Sequence, residues 1–102
     1  MCTIYQRIKK DFSFVENYGF SFAYPLKHYV HPSVLYKRGK EALDIGFDYE
    51  TGKFCAYYSD DYMKYNSFDF LADDKYDNRS YKKQLPLVKE KIDVFLKGLN
   101  KK

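Results

Sequence analysis

Apolar and polar residues alternate from Ala42 to Ser59, in the stretch ALDIGFDYETGKFCAYYS. Leu43, Ile45 and Phe47 interleave with Ala42, Asp44, Gly46 and Asp48. A period of two marks a half-buried strand. Phe54, Ala56 and Tyr58 resume the pattern after Tyr49-Glu50-Thr51-Gly52. Gly52 can take the left-handed backbone that closes such a turn. Pairing Asp48 with Lys53 sets Phe47 against Phe54, Ile45 against Ala56 and Leu43 against Tyr58. The apolar residues then share one face, the expected floor of the core. Asp44 beside Tyr57 and Gly46 beside Cys55 share the other. A slip of one residue would destroy this sorting, so the pattern specifies the register.

The flanking patterns fill in the rest. Ile4, Ile8, Phe12 and Val15 recur at helical spacing. Ser13 and Glu16 also match a capping box. Residues 3–18 therefore form either one helix to Tyr18 or a helix that breaks near Asp11 and restarts at Ser13. Gly19 is a suitable stop for both. Phe20, Phe22 and Tyr24 alternate with Ser21 and Ala23 as a strand, which Pro25 confines to an edge or ends. Lys27 to Pro32 is a connection. Ser33 to Lys37 is a strand that Arg38-Gly39 turns into the hairpin. Parity places Val34 and Tyr36 on the core face. Asp60 to Asn66 and Asp73 to Ser80 read as loops, and Ser67 to Leu71 as one short capped helical turn. Leu85, Val88, Ile92, Phe95, Leu96 and Leu99 form the apolar stripe of a last helix. Pro86 suits its first turn, whereas a start near Ser80 would put a kink there.

The predicted fold is one α+β domain. It is a four-stranded antiparallel meander sheet with N-terminal and C-terminal helices packed on one face. One domain of this size buries a modest core. No run of eighteen apolar residues predicts a membrane span. The start, MCTIYQRIKKDF, lacks a secretory signal pattern. Cys2 and Cys55 read as reduced thiols, so a cytoplasmic protein is expected.

Composition changes this picture in two ways. Twelve tyrosines and nine phenylalanines are more aromatic groups than one small core can hide, because each phenol hydroxyl needs a partner or water. Several tyrosines are therefore expected at the surface. The formal charge of +4 is also uneven. Residues 1–43 carry +4, residues 44–77 carry −6 and residues 78–102 carry +6. Such asymmetry can steer a partner.

No catalytic constellation is visible. His28-x-x-His31 lacks the further ligands of a closed metal site. Cys55 lies mid-strand, without the setting that activates a thiolate. Gly46 to Lys53 has the wrong spacing for a phosphate loop. Asp73 to Asp77 lacks the glycine and closing glutamate of a calcium loop. Asp60-Asp61 and Asp73-Asp74 are adjacent pairs of the kind that solvent usually surrounds. No metal or cofactor is expected.

Two binding readings remain. In the first, Asp44, Tyr57, Asp60, Asp61, Tyr62 and Tyr65 form an acidic, tyrosine-bearing surface for a basic protein partner. The plainer reading packs the loop tyrosines against the sheet edge. In the second, Tyr57 on an open sheet face stacks nucleic-acid bases while lysines of the last helix hold phosphates. Asp44 and Asp48 on that face oppose it. Monomer and homodimer are both open.

Asp11-Phe12-Ser13-Phe14-Val15, Tyr18-Gly19-Phe20, Pro32-Ser33-Val34-Leu35-Tyr36, Ile45-Gly46-Phe47-Asp48-Tyr49 and Lys53-Phe54 together resemble small uncharacterised bacterial α+β proteins of the polymorphic-toxin immunity kind. The resemblance covers about half the chain and is mostly aromatic spacing. It implies a cytoplasmic inhibitor that binds a bacterial toxin domain, and it assigns no catalytic residue.

Overall fold

A computed structural model describes residues 3–27, 31–61, 68–69 and 81–100. Helix α1 (Ile4–Asp11) leads into a 3-10 helix (Ser13–Tyr18) and strands β1 (Ser21–Leu26), β2 (Ser33–Arg38), β3 (Glu41–Asp48) and β4 (Lys53–Ser59). A two-residue strand β5 (Phe68–Asp69) and helix α2 (Tyr81–Asn100) follow. The strands lie in the order β1-β2-β3-β4-β5, every pair antiparallel. The α+β meander with a helix at each end is as expected.

The hairpin register is the one that the alternation specifies. Asp48 pairs with Lys53, Phe47 with Phe54, Asp44 with Tyr57 and Leu43 with Tyr58. Gly52 has φ +71° and its N–H donates to the Asp48 carbonyl at 2.8 Å. On the core face, Val34, Tyr36, Leu43 and Ile45 are completely buried. Ile8 and Phe12 cover them from the N-terminal side. Tyr81, Val88, Ile92 and Leu96 cover them from α2. Phe54 is the aromatic hub, 4.7 Å from the Tyr81 ring, 5.1 Å from Phe47 and 5.7 Å from Phe12, centroid to centroid. Tilted and edge-on ring pairs of this kind add to the area they bury.

Polar contacts tie the helices to the sheet. Tyr81 donates its hydroxyl to Asp11 at 2.8 Å, and the Arg7 guanidinium lies 3.9 Å from the Tyr81 ring centroid. Gln84 Nε2 donates to the Gly52 carbonyl, joining α2 to the hairpin turn. Arg38 grips Glu41 with two nitrogens and donates a third bond to the Tyr18 carbonyl. Tyr58 completes this clasp by donating to Glu41. The Arg38 bond holds the Glu41 carboxyl below its usual range.

Four expectations are settled or corrected. The first helix does break after Asp11, but Ser13 caps nothing. Thr3 and Gln6 form the capping box, at the start of α1. Pro25 lies within β1, which is an edge strand. Phe68–Asp69 is a strand bonded to Tyr57 and Tyr58 rather than a helical turn. Helix α2 starts at Tyr81, so Pro86 falls inside it and has no N–H for the Lys82 carbonyl.

The second face of the sheet also differs from expectation. It is not an open platform. Leu35, Ala42, Ser33 and Ser59 all lie there and are all buried. No helix among the described residues is long and apolar enough to cross a membrane.

Candidate functional site

The site that the fold builds lies on this second face, where β2, β3 and β4 run side by side. Gly46 makes it possible. It sits opposite Ser33, and a side chain at Gly46 would meet Ser33 Cβ at 2.7 Å and the Pro32 carbonyl oxygen at 2.8 Å. A real Cβ never comes that close, so only glycine lets the His31-Pro32-Ser33 segment lie against β3. The Phe47 N–H donates to the Pro32 carbonyl at 3.1 Å and holds the segment there. Glycine inside a strand often marks such a close backbone approach.

The result is a cavity of about 230 Å³ lined by His31, Ser33, Asp44 and Tyr57. Asp44 is its centre. It pairs with Leu35 on one side and Tyr57 on the other. Burial pushes its carboxyl pKa up, while the Ser33 hydroxyl and the nearby His31 pull it down without cancelling that effect. One carboxylate oxygen, Oδ1, is buried with no hydrogen-bond partner among the described residues. No lysine or arginine among those residues lines the cavity.

A histidine, a serine and an acid thus meet here, which the sequence pattern did not announce. Their order is not that of a nucleophilic relay, in which histidine stands between acid and serine. Here the serine hydroxyl is directed to the carboxylate itself. The arrangement can accept a donor or a cation.

The other predicted site residues divide. Asp60 is exposed and Asp61 half-buried just past β4, where the Asp61 N–H donates to Ser59 Oγ at 3.2 Å. They stand three and four residues beyond Tyr57, about 10 and about 13 Å along the chain at ~3.3 Å per extended residue. Tyr62 and Tyr65 lie outside the described residues, as do His28 and the Asp73–Asp77 stretch. Cys55 is half-buried on the second face opposite Gly46, as the register required. Among the described residues, no three histidine, cysteine or acidic side chains converge as a metal site.

Sequence reasoning took Asp44 and Tyr57 but missed His31 and Ser33 as their neighbours. Two signals pointed there. One is Gly46 in mid-strand. The other is Leu35 between Val34 and Tyr36, an apolar run that breaks the alternation and buries both faces of β2. Comparison with protein-family models, curated proteins and solved structures finds nothing that matches this chain.

Proposed function

We propose that this chain is a non-catalytic protein-binding domain. It meets its partner with the polar part of the second sheet face and the acidic end of β4. The observation that carries this reading is Asp44, a carboxyl with a buried, unpartnered oxygen in a surface cavity. Burial disfavours the charged form of this carboxyl, and a cation from another molecule at its accessible side would favour it again. Asp60 and Asp61 add negative charge past the end of β4. A basic partner surface fits this charge. The resemblance to immunity proteins gives the proposal a finer form, a cytoplasmic inhibitor that occludes a bacterial toxin domain.

The nucleic-acid alternative has less support. Tyr57 stands beside the Asp44 carboxyl, which lines the same cavity. Phosphates would be repelled there.

The test compares partner capture by the wild type and by a triple variant, Asp44→Asn, Asp60→Asn and Asp61→Asn, in lysate of the native host at rising salt. The expected result is one stoichiometric protein on the wild type and at least ten-fold less of it on the variant. Equal capture by both, or nucleic acid that washes off steeply with salt, would contradict the proposal.

A further inference from the structure

We infer that the cavity lined by His31, Ser33, Asp44 and Tyr57 receives a guanidinium group, the tip of an arginine on the partner's surface. This rests on the protein-binding reading and gives its chemistry. Three observations lead to it. The first is size. At about 230 Å³ the cavity is smaller than the usual small-molecule site, and it suits a single side-chain tip.

The second is charge. Asp44 is the only acidic residue among the described lining residues; His31 is the one basic group there that acts on it, too weakly to offset its burial, and no lysine or arginine lines the cavity. Burial disfavours its charged form, and an incoming cation would reverse that balance. The third is the wall beside it. Tyr57, across the β3–β4 ladder from Asp44, brings an aromatic ring to the same cavity. A guanidinium is planar and weakly hydrated, and it can stack on a ring while donating to a carboxylate. An ammonium is more strongly hydrated and holds its water more tightly. Gly46 sets the depth of the site by letting Ser33 approach, so the walls are in place before a partner arrives.

The probe is methylguanidinium chloride, titrated into isotopically labelled protein at neutral pH and constant ionic strength. Methylammonium and sodium chloride serve as controls. Backbone amide shifts of Ser33, Asp44 and Tyr57 are read by NMR. Saturable shifts are expected, with a Kd on the order of 10 mM, as one charged contact to a small ligand supplies. Methylammonium should bind several-fold more weakly. Asp44→Asn should abolish saturation while keeping the wild-type spectrum elsewhere, and Tyr57→Leu should weaken binding with Asp44 intact.

Shifts that never saturate, that persist in Asp44→Asn or that are equal for the two cations would overturn the inference. So would a captured partner that Asp44→Asn retains and Asp60→Asn with Asp61→Asn loses. That last result would leave the protein-binding reading standing and move its contact away from the cavity.

Discussion

Tyr36 puts a phenol hydroxyl inside the apolar layer. The residue is completely buried, and its hydroxyl has no hydrogen-bond partner among the described residues. Burial first, and the charge of Glu16 second, push its pKa well above the ordinary phenol value. A buried donor left unmatched costs about 1–3 kcal/mol, and deleting it while keeping the ring removes that cost. Tyr36→Phe should therefore stabilise the protein by about 1 kcal/mol, seen as a higher urea midpoint at unchanged slope. A lower midpoint would mean that the hydroxyl is satisfied. Gly46 carries the opposite lesson. Its place in mid-strand was visible in the sequence. Its reason, contact with Pro32 and Ser33 at less than 3 Å from any added Cβ, depends on a segment 13 to 14 positions away. Local pattern cannot supply that distance, and so the cavity that Gly46 permits was not legible either.

The hairpin was legible because parity is unforgiving. Phe47, Ile45 and Leu43 can face Phe54, Ala56 and Tyr58 in one register only, and the structure has that register. Helix α2 was legible for the same kind of reason. Val88, Ile92 and Leu96 recur on one face and all are completely buried. Capping was harder. Thr3 with Gln6 and Ser13 with Glu16 both fit the capping-box pattern, and only the first forms. Phe12 decides between them. Its complete burial anchors the chain where α1 ends, and the turn that follows tightens into a 3-10 helix. Thr3 accepts from the Gln6 N–H at 3.1 Å, and the Gln6 side chain accepts from the Thr3 N–H at 3.0 Å. Thr3→Ala should cost about 1 kcal/mol and fray α1 first, read as faster amide exchange at Tyr5 and Gln6. Unchanged exchange would mean that the box adds nothing. Strand β5 escaped because two residues are too few to display a period.

Across the whole molecule, charge and burial combine into one asymmetry. One face of the sheet is closed by both helices around an aromatic core. The other face is buried over much of its area, yet it carries Asp44 in a cavity that His31 lines and no described lysine or arginine enters. The negative charge of the central third of the sequence extends past β4 through Asp60 and Asp61. A small domain that keeps a carboxylate oxygen buried without a hydrogen-bond partner gives up stability for something else. Partner binding is the proposed use.

The most direct test is the unfolding free energy of the wild type and Asp44→Asn across pH. The raised pKa of folded Asp44 sets the sign. Below the ordinary carboxylate pKa, the group is protonated in both folded and unfolded chains and costs nothing. As pH rises, the unfolded chain releases its proton first, so wild-type stability falls until pH passes the folded pKa. Subtracting the two curves removes the carboxyls that do not act on Asp44, including Glu41 and Asp93, whose lowered pKa values act in the opposite direction, and leaves Asp44 together with the His31 that acts on it. Asp44→Asn should match the wild type in acid and exceed it by about 1–2 kcal/mol at neutral pH. A variant less stable than the wild type at neutral pH, or a difference that does not change with pH, would contradict the account. Either would make Asp44 a structural residue rather than a group held for a partner.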